Sequence, residues 1–231
     1  RKFISQRDQA RMCLISTQLT EDSLQLNAAG LDPLSIDMRR LHTLSSQKIE
    51  VVVWNDRCKV YDCGDVAAEW LSQFLEVECR LMYFPDDAIR PVDPAYADKN
   101  DKTAFSDGFP ILLTSEASLQ DLNSRLKKPI DMRRFRPNIV VSGSPAFDED
   151  QWRLVTIGDV TYRMVKPCAR CGIPNIDPNS AERGAEPSRT LIQYRRRNGK
   201  IFFGQNIIAN SLGNIKVGMR IKIVERVEKI E

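Results

Sequence analysis

The sequence predicts a mainly β fold, a β-barrel or a β-sandwich, that carries a few short helices. Short apolar runs of strand length recur along the 231 residues, and turn signals separate them at intervals of roughly 8–12 residues. Helical spacing of apolar residues is confined to a few short segments. Of the two architectures, we expect the β-barrel.

The first part of the chain predicts a small β-rich unit with one helix. Its predicted strands begin at residue 3 and then cover residues 11–17, 24–27, 49–55, 59–61 and 78–84. Before the last strand, apolar residues at helical spacing predict a helix over residues 66–75. Asp65 is the expected N-cap of this helix.

The second part has a stronger rhythm of strands. The predicted strands cover residues 109–113, 139–142, 154–157, 160–165, 200–203 and 206–209, with a closing hairpin of 215–217 and 220–224. Gly158-Asp159 is a strong turn signal between the third and fourth of these strands. Helices are predicted over residues 116–127, capped by Thr114-Ser115, and over residues 186–194.

A polar stretch rich in proline and aspartate, residues 85–102, is typical of a linker. We place a domain boundary within it, between residues 1–90 and residues 91–231. The first domain is expected to be the smaller, a β-barrel-like α/β domain, and the second to be a β-barrel.

The composition argues against several classes of protein. The formal net charge of +3, from 34 basic and 31 acidic residues, argues against a dedicated nucleic-acid binder. The single histidine, His42, excludes histidine-based zinc sites, and its polar surroundings predict a surface residue. The sequence shows no apolar run near the ~20 residues of a membrane span and no apolar core of a signal peptide, which favours a cytoplasmic protein.

The six cysteines are expected to be reduced, because the chain is not cysteine-dense. Cys168-Ala169-Arg170-Cys171 is the one C-x-x-C motif, and no second pair completes a structural zinc site. Lys166 and Arg170 place cations beside these thiols, which favours the thiolate form that binds soft metals. The alternative, a pair of half-buried cysteines without a role, stays open on residue types alone.

Residues suited to anion binding recur at the ends of predicted strands. They are Arg7, Asp107-Gly108, Ser115 at a helix start, Arg136-Pro137-Asn138 and Arg170-Cys171. Arginine forms bidentate bonds with phosphate, and a helix N-terminus favours an anion. If a barrel brings these strand ends together, one pocket suits a phosphate-bearing ligand with a soft metal.

Several short motifs occur in an order that makes the sequence recognisable. They are Phe135-Arg136-Pro137-Asn138, Asp150-Gln151-Trp152, Ile157-Gly158-Asp159, Lys166-Pro167-Cys168-Ala169-Arg170-Cys171 and Phe203-Gly204-Gln205-Asn206. This set resembles a MOSC domain, and residues 1–7 and 54–75 resemble the N-terminal β-barrel domain that accompanies it. The two resemblances together are similar to the family of bacterial YcbX-like proteins and mitochondrial amidoxime-reducing components.

The resemblance implies a pterin-dithiolene molybdenum cofactor bound between the two domains. Cys171 would be the thiolate ligand of molybdenum, and Asp107 a catalytic proton donor or substrate anchor. The cofactor-binding residues implied are Arg7, Gly108, Ser115, Arg136, Asn138 and Arg170. The activity implied is the reduction of N-hydroxylated compounds, N–OH to N–H plus water, with electrons from a separate redox protein.

The residues after Cys171 depart from the family pattern. Relatives carry an apolar pair and two threonines there, whereas this chain has Gly172-Ile173-Pro174-Asn175. Glycine and proline change the backbone path, so the substrate preference is not carried over. We also expect the family's first strand, with its Lys-Ser pair, and the ferredoxin-like C-terminal domain of YcbX-like proteins to be missing from this chain.

Two other functions and one partner surface stay open. MOSC domains are also fused to sulfurases, so the chain could be a non-catalytic molybdenum-cofactor or sulfur carrier, although we find no pyridoxal-phosphate domain in it. A structural barrel that has lost the metal is the third possibility. Arg195-Arg196-Arg197 is either a solvated loop or a docking site for an acidic redox partner. Neither a nucleic-acid nor a membrane partner is expected.

Overall fold

The computed structural model describes residues 2–41 and 47–227, and His42 lies outside these ranges. The described chain is mainly β with three α-helices, which confirms the predicted fold class. It forms two compact units, one of Arg1–Arg90 with Ile176–Arg183 and the other of Pro91–Asn175 with Gly184–Glu231. The predicted division into domains 1–90 and 91–231 stays a prediction. Within the described ranges, no helix has the length and apolar character needed to cross a membrane.

The first unit contains two small antiparallel sheets. Its strands are β1 (Ser16–Leu19), β2 (Ser23–Asn27), β3 (Leu34–Asp37), β4 (Ile49–Val53), β5 (Asp56–Asp62) and β6 (Met82–Tyr83). The sheets have the orders β1-β2-β3 and β4-β5-β6. Alternating apolar side chains of β4 and β5, among them Val51, Val53 and Val60, form a buried cluster under the second sheet.

The helix of the first unit, α1 (Asp65–Leu75), buries one apolar face that includes Leu71 and Phe74. The predicted cap is wrong by one residue, because Gly64 takes the N-cap position and Asp65 is the first helical residue. The Asp62 carboxylate accepts from the Gly64 N–H at 2.9 Å, and Asp65 instead pairs with Arg80 at 2.7 Å. A glycine with a φ of 93° fits this sharp entry, which side chains with a Cβ rarely adopt.

Two predicted strands of the first unit are also corrected. Residues 10–14 form a short 3-10 helix, and strand structure begins only at Ser16. The strand predicted over residues 78–84 shrinks to β6, which pairs with Tyr61 and Asp62 of β5. Both strands were predicted from apolar composition alone. Of these two segments, the parts that pair with a neighbouring strand are β1, which starts at Ser16, and β6.

The second unit is built on one large sheet. Its strands are β7 (Ile111–Ser115), β8 (Ile139–Val141), β9 (Trp152–Ile157), β10 (Val160–Ala169), β11 (Arg196–Arg197), β12 (Lys200–Ala209) and β13 (Ile221–Arg226). The order is β13-β9-β10-β12-β7-β8, with β11 beside β12. All pairs are antiparallel except β7 with β8. The predicted β9–β10 hairpin is present, and its turn uses Gly158 with a φ of 57°.

The last part of this sheet differs from the prediction. Residues 200–209 form one strand rather than two, because Gly204, with a φ of 78°, bends the strand without ending it. The predicted closing hairpin is wrong, since residues 215–217 form no strand and β13 pairs with β9 instead.

Two helices cover part of this unit, α2 (Glu116–Arg125) and α3 (Ser188–Tyr194). Side chains from both helices meet Phe135 and Phe203 in a buried cluster, in which the two phenylalanine rings stack at 3.9 Å between centroids. A second cluster fills the sheet around Leu113, Val155 and Ile207. Phe135 of the stacked pair contacts Arg170 of the C-x-x-C motif.

Candidate functional site

The C-x-x-C motif lies at the point where β10 ends. Cys168 falls in an irregular stretch of the β10–β12 ladder, where the register shifts between Pro167 and Ala169. Such bulges redirect side chains near the ends of strands. The Arg170 N–H still donates to the Ile201 carbonyl at 2.8 Å, so the free loop begins at Cys171. Cys171 is half-buried, and all six cysteines are free thiols.

The side chain of Arg170 is held tightly beside this loop. One terminal nitrogen donates to the Cys168 sulfur at 3.0 Å, and the other donates to the Phe135 carbonyl at 2.8 Å. The guanidinium carbon lies 5.4 Å from the centre of the Phe135 ring. The third nitrogen, Nε, is buried without a hydrogen-bond partner among the described residues. An unpaired buried donor costs about 1–3 kcal/mol, so this position calls for an acceptor.

The Phe135-Arg136-Pro137-Asn138 motif forms the neighbouring loop. Arg136 follows a 3-10 helix over Met132–Phe135 and adopts a left-handed backbone with a φ of 55°. Its side chain is exposed. Asn138 ties the loop to β7 with two bonds, since its side-chain oxygen accepts from the Leu112 N–H and its own N–H donates to the Leu112 carbonyl, both at 2.9 Å. These two bonds therefore attach the loop that carries Arg136 to β7.

Ser115 caps α2, as the sequence predicted. Its hydroxyl accepts from the Ser118 N–H at 3.1 Å, and the residue is completely buried. Ser118 in turn donates to Glu149 at 2.6 Å. The contact of Ser115 with a phosphate stays a prediction.

The other two predicted residues of the second unit, Asp107 and Gly108, lie on a bend before β7. Asp107 is exposed, and a Cβ on Gly108 would meet open space. A larger residue would therefore fit at position 108 without a clash. The structure brings Arg170, Phe135 and Arg136 together.

Arg7 belongs to the first unit. Its guanidinium lies over the ring of Trp54, 4.6 Å from the centroid, and Phe3 packs edge-on against the same ring. Arg183 holds the Arg7 backbone, because one of its nitrogens donates to the carbonyls of Gln6 and Arg7 at 3.2 and 2.8 Å. No pattern in the sequence points to Arg183, because it lies 176 residues from Arg7 and meets it only in the fold.

Two of the cations singled out in the sequence have partners inside the protein. The Lys166 ammonium lies 3.9 Å from the centre of the Tyr96 ring. Arg195 is not part of a solvated loop, since it is 7% exposed and donates to Asp150 at 2.6 Å. Arg197 pairs with the same carboxylate at 3.1 Å. Arg196 and Arg197 are exposed, so the run keeps positive charge at the surface.

Three consecutive acidic residues, Asp148, Glu149 and Asp150, have structural roles that the sequence analysis did not predict. Asp148 accepts two bonds from Arg226, which lowers the pKa of its carboxyl. Burial raises the pKa of Glu149, against the opposing effect of the Ser118 hydrogen bond. Asp148 thus binds Arg226 of β13, and Glu149 accepts from Ser118 in the first turn of α2. Asp150 accepts from Arg195.

Within the described residues, no group of three or more histidine, cysteine or acidic side chains is placed to hold a metal ion. This loop offers two free thiols, Cys168 and Cys171, together with guanidinium donors, and Cys168 accepts from Arg170. A thiolate is a soft ligand for a metal, and guanidinium groups bind phosphate.

The sequence was compared with families of known proteins. The MOSC domain matches residues 100–222, and the MOSC N-terminal beta barrel domain matches residues 2–78. The mitochondrial amidoxime-reducing component 1 of Mus musculus is 36% identical over 230 residues, covering 94% of this chain and 67% of that protein. The human component 1 is 36% identical with the same coverage, and component 2 of Bos taurus is 34% identical, covering 94% and 68%. The MOSC match spans more than half of the chain, and these relatives are covered over two thirds of their length. On these grounds the chain belongs to the MOSC family, in the branch of the amidoxime-reducing components.

Proposed function

We propose that this chain is a molybdenum-cofactor-dependent reductase of N-hydroxylated compounds. The relatives at 34–36% identity are named for the reduction of amidoximes, which are N-hydroxylated compounds. The observation that carries the proposal is the pairing of a free thiol, Cys171, with the clamped guanidinium of the preceding residue, Arg170. A soft ligand and a phosphate binder in adjacent positions suit a ligand that contains both a soft metal and a phosphate.

The residues present fit such a cofactor. The unpaired Nε of Arg170 marks a donor whose acceptor the described protein atoms do not supply. Arg136, exposed on a left-handed turn next to Phe135, adds a second guanidinium to the same loop pair. Cys171 would supply the thiolate, while Arg170 and Arg136 would hold the phosphate. Arg7 belongs to the first unit, and its part in holding the cofactor stays a prediction from the family resemblance.

When bound, the cofactor supplies the two electrons that reduce N–OH to N–H plus water. The reaction also consumes two protons, and one must reach the departing hydroxyl oxygen. Asp107, an exposed carboxyl on the bend before β7, is our candidate for the residue that holds or relays that proton. Asn138 acts on the backbone, by fixing the Arg136 loop to β7. Gly108 leaves room beside Asp107, whereas Ser115 is assigned to the helix cap.

The electron donor is proposed to be a separate redox protein. Arg195 is buried against Asp150, so only Arg196 and Arg197 of the arginine run are exposed to such a protein, and docking there stays a prediction. The cytoplasmic location stays a proposal as well, and fractionation of cells that express the native gene tests it.

Metal analysis and turnover test the proposed function. The protein is produced in a host that makes the molybdenum cofactor, and we expect bound molybdenum and pterin, with reduction of an amidoxime by a chemically reduced dye. Cys171→Ala is expected to abolish both metal retention and turnover. Cys13→Ala, which removes another half-buried thiol, is the matched control and is expected to keep both.

Two results would contradict the proposal. Protein that retains neither molybdenum nor pterin would contradict the proposed binding of the cofactor. Molybdenum bound without turnover of any N-hydroxylated compound would favour a carrier of the cofactor instead.

A further inference from the structure

The two thiols of the C-x-x-C motif differ in what surrounds them. The Cys168 sulfur accepts a bond from the Arg170 guanidinium at 3.0 Å. Cys171 forms no disulfide and follows the last residue of the ladder with β12. One thiol is thus committed to an arginine, while the other begins the free loop. The motif therefore contains two sulfurs with separate tasks.

The orientation of Arg170 depends on two acceptors. Its backbone N–H is fixed to Ile201, but the guanidinium lies at the end of a flexible side chain that loses rotamer freedom when it is held. The Phe135 carbonyl fixes one terminal nitrogen and the Cys168 sulfur fixes the other. With both in place the guanidinium can neither rotate in its plane nor swing away from the Phe135 ring.

Phe135 is itself a rigid support. It is fully buried and stacks on Phe203. Its carbonyl comes from the last residue of a 3-10 helix that is followed by the left-handed Arg136. Of the two acceptors, only the sulfur is a side-chain atom, so a point substitution can remove it and leave the other in place.

We propose that Cys168 is a positioning residue that holds the Arg170 guanidinium in the orientation required by the phosphate of the cofactor. This inference rests on the proposed function. Cys168 touches neither metal nor substrate in this proposal, and it acts only through Arg170. The unpaired Nε of Arg170 shows that the clamp leaves one donor for a further acceptor. Loss of the sulfur would let the guanidinium rotate, and cofactor retention would fall.

The test measures cofactor retention rather than activity. Wild-type protein, Cys168→Ala, Cys168→Ser and the control Cys79→Ala are purified from the same host. Molybdenum and pterin per chain are measured, together with the rate at which pterin is released on dilution. We expect release from Cys168→Ala to be about tenfold faster, which corresponds to about 1.4 kcal/mol. Cys79→Ala, at a half-buried thiol in the first unit, is expected to match the wild type.

A spectroscopic readout separates positioning from ligation. The cofactor that remains in Cys168→Ala is expected to keep the sulfur coordination of the wild type in X-ray absorption, because Cys171 is intact. Serine retains an acceptor at this position, so Cys168→Ser is expected to release pterin at a rate between those of the wild type and Cys168→Ala. A serine variant no better than alanine would overturn the inference, since the sulfur would then act by its volume.

A double-mutant cycle gives the sharpest result. If Cys168 acts through Arg170, then Cys168→Ala added to Arg170→Gln is expected to change the release rate no further. Additive effects would overturn the inference. So would a Cys168→Ala protein that retains the cofactor as the wild type does, or one that loses a sulfur ligand at the metal. Wild-type protein without molybdenum would instead overturn the proposed function.

Discussion

Gly204 is a position where one added methyl group is expected to destabilise the second unit. Its φ is 78°, and a Cβ built there would lie 2.8 Å from the Leu113 carbonyl oxygen and 2.8 Å from the Thr114 methyl carbon. Leu113 and Thr114 are both fully buried in β7. Neither can move away without breaking the register between β7 and β12, in which Leu113 faces Gln205.

Gly143 is a matched control that measures the cost of the left-handed backbone without the steric clash. Gly143 has a similar φ of 85°, but a Cβ there would meet nothing within 4 Å. The left-handed backbone costs a residue with a side chain about 1–2 kcal/mol, which is the loss expected for Gly143→Ala. Overpacking adds about 1–3 kcal/mol, so Gly204→Ala is expected to lose about 2–5 kcal/mol.

Thermal and urea unfolding of the two variants measure the difference. For a protein of this size the extra loss corresponds to a melting temperature of Gly204→Ala lower than that of Gly143→Ala by roughly 2–12 °C. Equal destabilisation of the two variants would refute the reasoning, because it would mean that β7 yields to the added methyl without cost.

Three further predictions concern the same unit. Arg195→Ala is expected to lose about 3 kcal/mol in urea unfolding, since it leaves Asp150 buried without its closest partner. Arg197→Ala, at a 59% exposed partner of the same carboxylate, is expected to lose no more than about 1 kcal/mol, and equal losses would contradict this ranking. Because burial raises the pKa of Glu149 above its ordinary ~4.3, its stabilising contribution is complete below that ordinary value and is lost as the pH rises through the folded-state pKa. Glu149→Gln is therefore expected to be the more stable protein at neutral pH and to show a weaker fall in stability as the pH rises above about 4, and an unchanged pH profile would show that this carboxyl does not cause the fall. Phe135→Ala is expected to lose about 3–5 kcal/mol in urea unfolding, and a loss below 1 kcal/mol would show that the ring stack does not support this unit.

The strand periodicity and the turn chemistry were sufficient for much of the fold. The Gly158-Asp159 turn and the Ser115 cap depend on local backbone geometry and local hydrogen bonds, and both occur where the sequence predicted them. Residues 215–217 form no strand, although the sequence predicted one there. The following strand, β13, pairs with β9, and this partner lies far away in the sequence. The predicted strands 200–203 and 206–209 were separated at Gly204, but the ladder with β10 continues across this glycine, from Phe202 to Gln205.

The candidate site follows the same division. Ordered motifs pointed to the C-x-R-C and Phe135-Arg136-Pro137-Asn138 loops, since each motif is a short stretch whose chemistry is visible in its residue types. The contact between these loops was not visible, because the Phe135 carbonyl and Arg170 are 35 residues apart.

The sequence by itself therefore determined the β-rich class of this chain, its family and the residue types that carry soft-metal and phosphate chemistry. Only the tertiary structure decided which charged groups are already used inside the protein. It assigned Arg195 to the half-buried carboxylate of Asp150 and Cys168 to the guanidinium of Arg170. The physical reason is that a side chain's role depends on the partners that burial brings to it, and those partners come from distant parts of the chain.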